Sequence, residues 1–89
     1  MPTIRFTPNL HRHVECPDAV VEGATVTEVL NAYFAERTQV RSYVLDDQGA
    51  LRHHMMLFID GEPLSDRHGL SDPMKSSSEL YVVQALSGG

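Results

Sequence analysis

Along the first seven residues, Thr3-Ile4-Arg5-Phe6-Thr7 alternates apolar with polar side chains, the period-two pattern of a strand with Ile4 and Phe6 turned to the core. Pro8-Asn9 is a turn signal, and Leu10 to Cys16 reads as a second extended segment, so the chain is expected to open on a β-hairpin. Leu10, Val14 and Cys16 share a parity and are expected to join Ile4 and Phe6; Arg12 falls in the same row against its polarity. Pro17-Asp18 ends the segment. Thr25 with Glu28 three positions later forms a capping-box pattern. Val26, Val29, Leu30, Tyr33 and Phe34 then repeat at helical spacing, predicting one helix over residues 25 to 37.

The second half returns to strand patterns. Ser42-Tyr43-Val44-Leu45 reads as a strand, Asp46-Asp47-Gln48-Gly49 as a turn, and Met55 to Ile59 as a strand apolar on both faces and hence central. Asp60-Gly61 is a hairpin signal leading into Glu62-Pro63-Leu64, a short edge segment where Pro63 is tolerated. Residues 65 to 78 form a polar loop in which Leu70, Pro73 and Met74 are expected to tuck beneath the sheet, and residues 80 to 85 form the last strand. The order β-β-α-β-β-β implies an α+β domain: a mixed sheet of about five strands with one helix packed across it. The first and last strands would be parallel in the middle, because the crossover between them supplies the helix.

Composition narrows the function classes. The chain has 89 residues, enough for a single domain with one modest core, and 42% hydrophobic content argues against disorder. Its longest apolar run, Met55 to Ile59, is far short of a membrane span, and the start lacks a basic region followed by a long apolar segment, so a cytoplasmic location is expected. Net charge is −5 with no basic run, which argues against nucleic-acid binding and is compatible with docking on a basic protein face. Cys16 is the single cysteine and is expected to be a packed, inert residue. His11 and His13 would share a strand face but find no third ligand, while His53 and His54 would point apart, so no metal site is expected. None of the five histidines stands at a motif spacing for nucleophilic catalysis.

The chemistry concentrates at Leu86-Ser87-Gly88-Gly89. A main-chain carboxylate has a pKa of about 3.5, so at neutral pH it is an anion and a poor electrophile. Conversion to an acyl adenylate by an ATP-using partner supplies a leaving group and opens the carbonyl to sulfur or an amine. Two residues without Cβ atoms let such a tail enter a narrow cleft. The alternative is a frayed, inert end.

Helix position, the Phe58-Ile59-Asp60-Gly61-Glu62-Pro63-Leu64 turn, the Leu70-Ser71-Asp72-Pro73-Met74 approach to the last strand and Gly88-Gly89 together resemble the β-grasp sulfur carriers, relatives of ubiquitin. That family includes the small subunit of molybdopterin synthase and the thiamin carrier. The resemblance covers essentially the whole chain and implies the β-grasp fold. It also implies a carrier rather than an enzyme, with no tightly bound cofactor. An E1-like enzyme would use ATP to adenylate Gly89, sulfur transfer would leave a thiocarboxylate there, and a biosynthetic enzyme would accept the sulfur. Ser87 and Gly88 would form the tail, and Leu64, Tyr81 and Val83 match the family's docking patch best. Leu86-Ser87 departs from the small residues common before the glycines, and residues 38 to 54 look more like the molybdopterin and cysteine-biosynthetic carriers. Two rival readings remain open: a ubiquitin-like modifier joined to lysines through Gly89, and a binding module with an inert end.

Overall fold

The computed structural model describes residues 1–12, 14–66 and 69–84. Its elements in chain order are β1 (Thr3–Phe6), α1 (Pro8–His11), β2 (Ala19–Val20), α2 (Val26–Glu36), α3 (Thr38–Val44), β3 (Met55–Ile59), β4 (Glu62–Pro63) and β5 (Glu79–Gln84). Among the described residues the five strands form one sheet in the order β2-β1-β5-β3-β4. β1 and β5 are parallel at its centre, with Thr3 opposite Glu79 and Phe6 opposite Val82, and every other pairing is antiparallel. The expected mixed sheet and its central parallel pair are therefore present. No helix among the described residues is long and apolar enough to cross a membrane.

Alternation builds the core. Ile4 and Phe6 of β1, Met55 and Leu57 of β3, and Leu80 and Val82 of β5 are buried on one face of the sheet. Against that face α2 lays Val26, Val29, Leu30, Tyr33 and Phe34. The start of the helix follows from its capping residues: Thr25 Oγ1 accepts the Glu28 N–H at 3.2 Å, and Glu28 Oε1 accepts the Ala24 N–H at 2.9 Å. Two of the helix's first N–H groups, on Val26 and Thr27, donate to the Asp72 and Leu70 carbonyls, which straps the 65–78 loop to the helix entry. Leu70 and Met74 are buried by that strap, whereas Pro73 stays exposed, contrary to the expectation that all three tuck under. Asp60 and Gly61 both take positive φ, 51° and 87°, as a two-residue hairpin requires, and Asp60 is hydrogen-bonded through main chain and carboxylate to Glu79.

Two expected strands are absent, and helix takes the start of one and nearly all of the other. Leu10 to Cys16 is not extended: Pro8–His11 forms α1, and the chain then runs irregularly to a two-residue β2. Leu10, Val14 and Cys16 are buried as expected. The error lay in their spacing, because positions four apart satisfy both a two-residue and a 3.6-residue period, and Val14 N–H does donate to the Leu10 carbonyl. Arg12 follows α1 in a turn and is exposed, which resolves its misplacement in the strand row. Ser42 to Leu45 falls in α3 and its cap, where Val40 and Val44, again four apart, are the buried positions. The strand propensity of Tyr43 and Val44 yields there to packing.

Candidate functional site

Side chains that point away from α2 make the sheet's other face. On β5 these are Glu79, Tyr81 and Val83; the register sets Tyr81 opposite Phe58 and Val83 opposite Met56 on β3, and Tyr81 beside Arg5 on β1. Met56 is 39% exposed, and Phe58, Tyr81 and Val83 are half-buried, so four apolar side chains form a continuous stripe that no helix among the described residues covers. Arg5 borders the stripe. Its guanidinium lies 5.6 Å from the Tyr81 ring centroid and reaches Glu79 at 3.5 Å and Asp18 at 3.6 Å. These ion pairs are half-exposed and contribute little stability, but they hold the cation at the rim of the stripe.

Of the three docking residues read from the sequence, the structure brings Tyr81 and Val83 together and sets Leu64 apart. The Leu64 N–H donates to the Leu57 carbonyl, and its side chain packs against the buried core on the helix side of the sheet. Phe58, Met56 and Arg5 complete the face in its place. The signal for the two apolar members was in the sequence, since the β3 run Met55 to Ile59 is apolar at every position, and only one of its two sides can meet the helix.

β5 leads directly towards the terminal residues. Thr7 N–H donates to the Val82 carbonyl at 3.1 Å and Gln84 N–H to Thr7 Oγ1 at 3.5 Å, so the residue after β1 fastens the strand's last turn of pleat. Ser87, Gly88 and Gly89, the expected tail and activation point, lie outside the described residues.

The remaining reactive groups are placed away from the face. Cys16 is fully buried, its Sγ 3.7 Å from His11 Nδ1, and burial, with the Asp18 charge adding to it, pushes its thiol up to about 11. A thiol with that pKa is almost wholly protonated at neutral pH and is a weak nucleophile. His11 belongs to a helix rather than a strand, while His13 and His68 lie outside the described residues. The His53 and His54 rings meet nearly at right angles, 5.8 Å apart, in the turn before β3. No group of three or more His, Cys, Asp or Glu among the described residues is arranged to hold a metal ion. A surface depression of about 490 Å³ is lined by Glu15, Glu36, Arg37, Thr38 and Gln39; two carboxylates against one guanidinium make a poor cradle for polyphosphate.

Together the central parallel pair, the crossing helix and the hairpin at Asp60-Gly61 define a β-grasp domain, the fold of ubiquitin-like proteins. Solved structures agree over the full length. The chain is similar to SAMP1 from Haloferax volcanii (24% identity, TM-score 0.78, 99% of this chain and 98% of that one). It also resembles a chain of the Amycolatopsis orientalis BexX/CysO complex (19% identity, TM-score 0.82, 100% of each). The small archaeal modifier protein 1 from Methanosarcina acetivorans is a third neighbour (20% identity, TM-score 0.78, 99% and 95%). No protein-family model and no curated protein matches the sequence.

Proposed function

We propose that this protein is a sulfur carrier activated at Gly89. The observation that carries the reading is the uncovered stripe of Met56, Phe58, Tyr81 and Val83 on and beside β5, the strand whose continuation is Leu86-Ser87-Gly88-Gly89. A partner that covers the stripe holds the strand from which the tail departs, so docking and delivery of the carboxylate are one event. Neighbours named for a complex and for a modifier support a role exercised on other proteins.

The chemistry belongs to the partner. A Gly89 carboxylate oxygen attacks the α-phosphorus of ATP, pyrophosphate leaves, and the mixed anhydride replaces a poor electrophile by a good one. A sulfide equivalent then attacks the carbonyl carbon, AMP departs, and the thiocarboxylate remains for a biosynthetic enzyme that accepts the sulfur. The chain's own contribution is position: Tyr81 and Val83, with Phe58 and Met56, supply the apolar docking area, while Leu64 steadies β4 beside it. Its acidic surface complements a basic partner face and speeds encounter.

The test is intact mass after incubation with an E1-like enzyme, ATP and a sulfur donor. The expected product carries one sulfur in place of one oxygen, and an unchanged mass with every cognate pairing refutes the reading. A second reading, a modifier joined through Gly89 to lysines of other proteins, is favoured by the neighbours named small archaeal modifier protein. It predicts a branched Gly-Gly remnant on target lysines. Deletion of Gly88-Gly89 without loss of activity would instead indicate a binding module with an inert end.

A further inference from the structure

A second concave surface, of about 230 Å³, opens on the helix side of the sheet, where α2 and α3 meet Gly49 and Gly69-Leu70. Its floor is apolar. Leu30 of α2, Leu45 at the cap of α3 and Leu70 are buried in the core and close it from below. The wall at Leu70 is fixed from α2: the Thr27 hydroxyl donates to the Leu70 carbonyl at 2.8 Å and reaches the Gly69 carbonyl at 3.2 Å, and the Thr27 N–H donates to Leu70 as well. Leu70 takes a φ of 55°, a left-handed conformation that leucine rarely adopts, and the bonds from Thr27 hold it there.

The mouth is polar and cationic. Asn31 on α2 and Arg41 on α3 stand at it, both exposed. The Arg41 guanidinium lies beside Gly49, where an added Cβ would meet Arg41 Nη2 at 3.7 Å. Among the described residues neither the Asn31 amide nor the Arg41 guanidinium has a hydrogen-bond or ion-pair partner. The chain has twelve acidic side chains to seven basic ones, so an arginine left without a carboxylate partner runs against its balance of charge. Asp46, in the adjoining turn, interacts with Arg41 only through space, because its Oδ1 accepts the Gln48 N–H at 2.9 Å and the Ala50 N–H at 3.0 Å.

Size and chemistry select the ligand. At about 30 Å³ per water-sized group the space holds about eight such groups, and it falls below the roughly 300 Å³ at which sites for drug-sized molecules begin. A nucleotide is too large. Three leucines beneath a guanidinium and an amide match a ligand whose apolar end enters and whose anionic end stays at the mouth, and the planar donor fork of arginine suits a carboxylate. The structure assigns to this cleft a binding site for a carboxylate borne on a short branched apolar chain, the chemistry shared by a free branched-chain acid and the C-terminal leucine of a peptide. The cleft and the stripe lie on opposite sides of the sheet, so a domain docked through the stripe keeps the cleft open. The assignment does not depend on Gly89 being activated.

Titration of the full chain with 4-methylpentanoate, followed by backbone amide chemical shifts, tests the assignment. Saturable shifts are expected at Asn31, Leu45, Gly49 and Leu70, with Met56, Tyr81 and Val83 unmoved. 4-Methylpentanamide keeps the shape and loses the charge, and Arg41→Gln removes the cation; in each case a hydrogen bond between charged groups is lost, and binding is expected to weaken by about tenfold or more. Arg41→Lys keeps the charge and is expected to recover part of the affinity. Asn31→Phe, at an exposed helix position, sets a ring at the mouth and is expected to abolish saturation; a dispersed spectrum shows that each variant is folded. Acetate, which lacks the apolar end, is expected not to saturate over the same range. A peptide ending in leucine separates the two sources: clearly tighter binding than the free acid identifies a protein C-terminus, and equal or weaker binding identifies the small acid. The assignment is overturned if neither acid nor peptide gives saturable shifts at these residues, if acetate or the amide binds as tightly as the acid, if Arg41→Gln binds as the native chain does, or if the shifts fall on the stripe instead.

Discussion

Tyr33 joins the two halves of the core, and its hydroxyl is the group whose removal reports most directly on that junction. It is fully buried, its ring centroid is 5.0 Å from Phe6 and 6.0 Å from Phe34, and its O–H donates to the Pro17 carbonyl at 2.7 Å. Tyr33→Phe keeps the ring contacts and removes only that bond. The net loss for a neutral hydrogen bond is about 1 kcal/mol, rising towards about 2 because the Pro17 carbonyl is left half-buried without this donor. For a domain of this size about 1 kcal/mol lowers Tm by roughly 4–8 °C, so thermal denaturation resolves the effect. The same substitution changes the alkaline limb. Burial, opposed by the Arg37 charge, raises the phenol from 10.0 to about 12, so the folded state holds its proton where the unfolded chain has lost it. Stability is complete below pH 10 and falls as pH rises towards 12, by at most about 1.4 kcal/mol per unit. Cys16, raised from 9.0 to about 11, adds a loss of the same sign that begins about one unit earlier and that Tyr33→Phe leaves in place. Urea unfolding at pH 8, 10 and 11 checks both parts. A variant within about 0.5 kcal/mol of the native chain at pH 8, the range of ordinary surface changes, with an unaltered alkaline slope, refutes the argument.

Gly23→Ala is expected to cost about 1–3 kcal/mol, because the added Cβ would sit 2.6 Å from Val29 N and 2.7 Å from Val29 Cγ2, and the first of these is helix backbone that cannot step aside. Chemical denaturation measures it, and a neutral result would mean that the approach of residue 23 to α2 is looser than described. Thr25→Ala, which deletes the oxygen accepting the Glu28 N–H, is expected to cost about 0.5–2 kcal/mol, whereas Thr25→Ser keeps most of it; equal losses in the two would remove the cap from the account.

How much of this was legible in the sequence depended on whether a residue pattern admitted one period or two. α2 was readable almost to its ends, since its apolar positions fit only the helical period and Thr25 marks the start. The Asp60-Gly61 hairpin was readable because so few residues accept positive φ in succession. Leu10/Val14 and Val40/Val44 were not, because a spacing of four belongs equally to strand and helix, and the choice was made by tertiary packing that the local pattern does not contain. The core membership of Leu10 and Val14 survived the wrong element for the same reason. The 65–78 loop hid its role too: its carbonyls cap α2 from about 45 residues away in sequence, a relation no local window holds.

The candidate face was half legible, and the half that was missed gives its own test. In β5 every side chain was known to be apolar or large, but which ones face outward depends on register, and register comes from the pairing with β3 and β1. Once it is set, neighbouring valines do different work: Val82 is buried under α2 while Val83 lies on the uncovered stripe beside Met56. Val82→Ala therefore removes buried methyls and leaves a gap, a loss of about 2 kcal/mol in stability with the outer face unchanged. Val83→Ala is expected to leave stability within about 0.5 kcal/mol and to weaken binding to an activating enzyme, with Tyr81→Ala weakening it by about tenfold as a buried aromatic contact does. The decisive comparison is the crossed one, unfolding free energy and partner affinity measured on both valine variants. Should Val83→Ala prove as destabilising as Val82→Ala while affinity holds, the stripe would be a second packed face, and the docking surface would have to be sought elsewhere on the domain.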